Sequence, residues 1–254
     1  MRTSSRGPTA RTAATGRRHS ETNASMNFGE HDPDGYEQGV IACPKCGAEN
    51  TVRPKTVFRR HDPALGALFD GSLNQVACSR CGIAFRLDVP LMFHDEEDPC
   101  LIYFTPLEPQ GAWQQTERDM AVLAENVAAE NGAVEPLECR LTLTRRSFLE
   151  KISLQINDLD DRVIEYIKYQ LYNTPDRKID PIRDELLYDF STHDETQLAF
   201  IIFDRESGRA TAGAHLPMDV YRELVETLFA DDAFSEEIDK LFPGYYVSVD
   251  RLLA

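Results

Sequence analysis

Four of the chain's six cysteines stand in two short pairs, Cys43-Pro44-Lys45-Cys46-Gly47 and Cys78-Ser79-Arg80-Cys81-Gly82, with 31 residues between them. A CxxC turn aims two sulfurs the same way. The glycine after the second cysteine permits a positive-φ reversal that brings amide N–H groups toward the sulfurs. Either turn alone would read equally well as a redox pair. Together they supply four thiolates, and the chemistry they predict is tetrahedral S4 coordination of one structural Zn2+ by Cys43, Cys46, Cys78 and Cys81. The other two, Cys100 and Cys139, read as buried free thiols.

The elements around the pairs are short strands. Val40 to Ala42 leads into the first pair and Glu49 to Phe58 leads away, which predicts a hairpin across the turn. Between the pairs, Asp62-Pro63 followed by apolar residues through Phe69 predicts a short helix with Asp62 as its cap. Asn74 to Ala77 enters the second pair, and Ile83, Phe85, Leu87 and Val89 leave it on one face. Pro90 to Asp95 and Cys100 to Phe104 read as two further strands that complete the same sheet. The expectation is a zinc-ribbon-like β module with an inserted short helix over residues 37–108, too small to fold on its core alone.

Beyond it the character changes. Gln114 to Asn131 carries Met120, Leu123, Ala124 and Val127 at helical spacing, and Asn131-Gly132 ends it. Helices are also predicted for Ser147 to Ile156, Leu159 to Tyr172, Met218 to Phe229 (face Val220, Leu224, Leu228) and Ala233 to Phe242. Strands are predicted for Glu138 to Thr142, Leu186 to Phe190, Gln197 to Phe203, Ala210 to His215 and Tyr245 to Val249, with a hairpin turn at Asp204 to Gly208. The class is α+β: an antiparallel sheet with packed helices over residues 113–254. Residues 1–36, rich in Arg, Ser, Thr and Ala, are expected to be a disordered extension, with Met26 as the native start.

Charge divides the chain in the same way. Residues 1–25 carry +4, residues 26–40 carry −4, residues 41–94 carry +3 and the remainder carries −19, for a total of −16. So acidic a second part repels phosphate, and nucleic-acid binding by the whole chain is disfavoured. No apolar run approaches the roughly 18 residues that span a bilayer, and the start lacks a secretory apolar stretch, so the expectation is a soluble cytoplasmic protein.

No nucleophile elbow, phosphate loop, dinucleotide fingerprint or HExxH motif occurs. His94-Asp95 and His193-Asp194 adjoin carboxylates, but neighbours on a strand face opposite ways, so neither forms an acid–base couple. His94 reads as a capping or hydrogen-bonding residue, because four thiolates already complete the shell. Tyr166, Tyr169 and Tyr172, with Tyr245 and Tyr246, read as core or rim packing more readily than as a partner surface.

Several features in order carry a resemblance to a known family. They are Cys43-Pro44-Lys45-Cys46-Gly47, Asp62-Pro63, Gly71-Ser72-Leu73-Asn74, Cys78-Ser79-Arg80-Cys81-Gly82 and Pro90-Leu91-Met92-Phe93-His94-Asp95. Over about residues 40–106 the chain resembles the CpXC-domain proteins, a bacterial and archaeal group. It departs from their pattern in lacking proline in the second pair and in having Phe93 where a tyrosine often precedes His-Asp. The resemblance implies a zinc-binding domain of undetermined activity.

Iron is the alternative ion, since rubredoxin-like sites also use two CxxCG turns. The basic spacer here, with Arg53, Lys55, Arg59 and Arg60 and only Phe58 and Phe69 as aromatics, favours zinc. Closed S4 coordination leaves no position for a catalytic water, so a noncatalytic protein is expected, one that binds a protein partner or its own copy. No membrane and no small-molecule substrate is evident. The alternatives are a nucleic-acid-binding ribbon acting through Arg59 and Arg60, and a thiolate switch that releases zinc on oxidation.

Overall fold

The computed structural model describes residues 32–106, 113–131, 137–174, 179–192 and 195–253. Most of the expected N-terminal extension, including Met26, and the pair His193-Asp194 lie outside the described residues.

The cysteine pairs sit inside two antiparallel hairpins. β1 (Gly39–Ala42) and β2 (Glu49–Val52) flank the first pair. After β3 (Val57–Arg59) and the one-turn helix α1 (Leu65–Phe69), β4 (Gln75–Ala77) and β5 (Ala84–Arg86) flank the second. The alternation read from Ile83 to Val89 holds, with Leu87 and Val89 buried and their neighbours Arg86 and Asp88 exposed. The helix starts two residues later than its Asp-Pro signal suggests. Asp62 Oδ1 accepts from the Ala64 amide at 2.8 Å, closing an Asx turn ahead of the helix, and its Oδ2 meets Lys55 Nζ at 2.8 Å. Asn74, at φ 58°, clamps the spacer by bonding both backbone groups of Lys55.

β6 (Leu91–Asp95) and β7 (Cys100–Phe104) do not complete the ribbon's sheet, as the sequence suggested. With β8 (Glu138–Thr142), which follows α2 (Trp113–Asn131), they form a separate four-stranded mixed sheet in the order β3-β6-β7-β8. β3 runs parallel to β6 and β7 parallel to β8, while β6 and β7 form a hairpin. The reason is burial on both sides, which a solvent-facing ribbon cannot offer. Phe58, Phe93, Ile102 and Phe104 pack on one face with Ile41 and Val52 of the first hairpin and Phe148 and Ile152 beyond. Leu101 and Cys139 pack on the other against Met120 and Ala124 of α2. Strand β8, placed by the sequence in the acidic part, is thus an edge of the sheet that supports the cysteine hairpins.

The rest is a second layer. α3 (Arg145–Ile156), capped by Thr144, and α4 (Asp161–Asn173), capped by Asp160, precede β9 (Asp184–Tyr188), β10 (Gln197–Asp204) and β11 (Ala210–Pro217), an antiparallel meander. The expected turn joins β10 to β11, with Gly208 at φ 66°. α5 (Met218–Ala230) and α6 (Asp232–Leu241) close the core. The core-facing side of α5 keeps Leu224 and Leu228 of the expected stripe and adds Met218 and Tyr221, whereas Val220 is exposed. The strand expected at Tyr245 to Val249 is absent. Glu117 of α2 takes the amides of Tyr245 and Tyr246 at 2.9 and 2.8 Å, so contact with β8 is confined to the Tyr245 carbonyl, which accepts from the Leu141 amide at 2.8 Å, and a 3-10 turn, Val249–Leu253, follows.

The two layers are joined by buried charges. Arg140 of β8 donates in bidentate fashion to Asp161 of α4, at 2.7 and 2.9 Å. Lys151 of α3 reaches Asp161 at 2.6 Å and Glu165 at 3.4 Å. Lys168 lies 2.9 Å from Glu165 and 2.7 Å from Glu150. Glu150 also takes the Tyr188 amide and Glu165 the Val249 amide, at 2.6 and 2.8 Å. Three cations face three anions, and every carboxylate is held by more than one donor, the condition under which buried charge is tolerated. Burial alone would raise the Asp161 carboxyl, but Arg140 and Lys151 outweigh it and hold it well below the usual carboxylate range. Its stabilising effect is therefore fully present above the unfolded-state value and is lost as pH falls through the folded-state one. Asp161→Asn should cost about 3–5 kcal/mol in urea denaturation at neutral pH, because two cations lose their counter-charge. The gap to the unaltered chain should narrow below about pH 4. A loss under about 1 kcal/mol would show that the network does not hold the layers.

Candidate metal centre

The two cysteine turns repeat one another bond for bond. In the first, the Cys43 amide donates to Ala48 O at 2.8 Å and the Gly47 amide to Cys43 O at 2.9 Å. In the second, Cys78 donates to Ile83 O and Gly82 to Cys78 O, both at 2.9 Å. Gly47 and Gly82 both lie at φ 69°, a region that an L side chain enters only at a cost. Identical turns brought face to face give a cluster of near two-fold character.

All four sulfurs lie within 4.8 Å of one another, and Cys43 to Cys81 and Cys46 to Cys78 are each 3.7 Å apart. A tetrahedron with metal–sulfur bonds of about 2.3 Å has edges of about 3.8 Å. The donor set therefore fits a tetrahedral thiophilic ion, and among the described residues these four make the one such group. Cys43 and Cys78 are buried, whereas Cys46 and Cys81 are half-buried. Amides of Cys81 and Arg80 draw the Cys78 thiol down to about 6 against the opposing effect of burial. At Cys46 the Ala48 amide lowers the value, but burial and the neighbouring sulfurs outweigh it and push it up to about 11. Without a cation, the cluster cannot be four thiolates at neutral pH.

The residues singled out beside the cysteines fall elsewhere. His94 lies on the face of β6 opposite Leu91 and Phe93, with Nδ1 4.0 Å from Glu96, and does not belong to the sulfur group. Asp95 is fully buried and accepts from Arg60 at 2.8 Å, so the two halves of His94-Asp95 do point apart. Cys100 and Cys139 are free and sit on opposite faces of adjacent strands, since Cys139 pairs with Leu101. The spacer's cations are all engaged: Arg53 with Asp32, Lys55 with Asp62, Arg59 with Glu96 and Arg60 with Asp95. A separate cavity of about 340 Å3 has Arg140, Lys151 and Asp161 in its lining, and both cations are already bonded to Asp161.

One residue beside the cage escaped the sequence. Asn50 of β2 is 6 % exposed and reaches from the first turn to the second. Its signal is a polar side chain at a buried register position, in line with Val52 and four residues past Cys46.

The family model described as CpXC protein matches residues 41–168, while no curated protein and no solved structure matches the chain. The match runs well past the last strand of the cysteine region, and the fold explains why. The supporting sheet lacks its β8 edge before residue 138, and α3, which packs on that sheet, ends at Ile156. With half of its length matched, both cysteine pairs included, the chain belongs to the CpXC family.

Proposed function

We propose that this is a noncatalytic protein in which one structural zinc ion, held by Cys43, Cys46, Cys78 and Cys81, orders the two hairpins, while the acidic α+β part recognises another protein or a second copy. The observation that carries the metal half is the tetrahedral spacing of the four sulfurs. Four thiolates fill the shell of zinc, leaving no place for a reacting water. Zinc is preferred to iron because the spacer's rings serve packing: Phe58 is buried in the core and Phe69 meets Phe190 edge-on at 5.0 Å. The partner half is supported by apolar side chains left in solvent on an acidic surface, Phe229 at 79 % and Ile182 at 82 % exposure. Nucleic acid fits less well, since each basic residue of the spacer already faces a carboxylate. Among the described residues no helix is long and apolar enough to cross a membrane, in keeping with a cytoplasmic setting.

Elemental analysis of the protein purified without added metal should find one zinc per chain. Removing it with a strong chelator should lower the thermal midpoint by several degrees, as expected for a small module folded around its ion. Iron in place of zinc, or a midpoint indifferent to the chelator, would refute the metal reading. For the partner, Phe229→Asp should abolish capture from native cells or, if the partner is a second copy, halve the mass found by light scattering, with the midpoint unchanged. Capture and mass both insensitive to Phe229 would remove that surface from the reading.

A further inference from the structure

Asn50 spends its whole side chain on the cage. Nδ2 donates to Ala48 O at 2.8 Å and lies 3.8 Å from Cys78 Sγ, while Oδ1 accepts from the Ser79 amide at 2.9 Å and the Ser79 hydroxyl at 3.1 Å. The orientation is fixed by its neighbours. The Ser79 amide can only donate and the Ala48 carbonyl can only accept, so oxygen must face Ser79 and the NH2 group must face Ala48 and the sulfur. One buried amide thus ties the first turn to the residue next to Cys78 in the second. The second turn returns nothing equivalent: the residue four past Cys81 is Phe85, which packs against the apolar cluster. The near two-fold cage is therefore asymmetric. Burial still follows the two-fold character, with Cys43 and Cys78 buried and Cys46 and Cys81 half-buried, but of the two buried sulfurs it is Cys78 that has the Asn50 side-chain donor.

We propose that Asn50 is the positioning residue of the metal centre: its N–H donation and its clamp on Ser79 hold and shield the Cys78 sulfur, leaving Cys46 and Cys81 as the sulfurs through which thiol reagents open the cage. The proposal rests on the reading of the four cysteines as a zinc site. An N–H donor draws electron density from a thiolate and makes it less nucleophilic, and such partners of ligands commonly set metal affinity within a factor of about 10–100.

The zinc-loaded full chain is treated with less than one equivalent of N-ethylmaleimide, and the modified cysteines are identified by peptide mass spectrometry. Cys46 and Cys81 should be labelled ahead of Cys78. In Asn50→Ala, Cys78 should join the early group, and zinc affinity, measured against a chromophoric chelator, should fall about 10–100-fold. Asn50→Asp keeps the acceptor for Ser79 but replaces the donor at Cys78 with a carboxylate oxygen. It should weaken zinc at least as much as Asn50→Ala and shift the sulfur-to-cobalt charge-transfer band of the cobalt-loaded protein, which a purely packing role would leave in place. Labelling of Cys78 first in the unaltered chain, or affinities within twofold in both variants with an unmoved cobalt band, would overturn the role of Asn50 alone. A chain that takes up neither zinc nor cobalt would overturn the metal reading and this inference together.

Discussion

Four sulfurs within 4.8 Å of one another can be charged together only around a cation. Two unit charges 3.7 Å apart repel by about 4 kcal/mol even at an effective dielectric of about 20, and the cluster contains several such pairs. Burial and the three neighbouring sulfurs, outweighing the Ala48 amide, keep the Cys46 thiol raised. Folding of the hairpins is thereby linked to both metal and protons: an ion draws protons off the sulfurs, and acid drives the ion out. The hairpins have little else to hold them. Each is a two-stranded sheet of three or four residues per strand, a unit that is marginal by itself in water.

Such support as they have comes from the apolar cluster beneath. Ile41 and Val52 from the first hairpin, Leu68 and Leu73 from the spacer, and Leu87 and Val89 after the second all enter one core with Phe58, Phe93 and Phe104. The spacer is pinned to this core by polar contacts that take up its charges, Lys55 with Asp62 and Arg60 with the fully buried Asp95. Two of the four cations that look like a basic surface in the sequence, Lys55 and Arg60, are thus internal fastenings, while Arg53 and Arg59 pair with carboxylates in solvent. The same holds for the family-like motifs: Asn74 bonds Lys55, Asp62 closes a turn, and Asp95 receives Arg60 along with the amides of Glu97 and Asp98.

The cage itself was legible because its grammar is local: two CxxCG turns state their ligands, their glycines and their geometry within five residues each. Helices with caps or clean spacing, such as Arg145–Ile156 and Asp161–Asn173, were legible for the same reason. The features that escaped depend on contacts far apart in sequence. Nothing near Glu138 says that it runs parallel to Cys100, and nothing near Tyr245 says that Glu117, more than a hundred residues away, takes its amide. Glu165 and Lys168, an i, i+3 pair on α4, are both buried because α3 brings Glu150 and Lys151 onto them. Asn50 acquires its role from the second turn, which lies 29 residues on and places the Ser79 amide against its oxygen.

The buried charges also bear on how the chain is divided. Arg140, Glu150, Lys151, Asp161, Glu165 and Lys168 all fall within the stretch matched by the family model, Lys168 being its last residue. The amides that complete the carboxylates, from Tyr188 and Val249, lie outside it. A buried carboxylate deprived of a donor keeps its desolvation cost, so Glu150 and Glu165 require the chain beyond residue 168. The C-terminal meander and its helices are therefore not an appendage beside a self-sufficient metal module. Helix α3 buttresses the sheet under the cage on one side and, together with α4, holds out on the other charged groups that the rest of the chain must satisfy.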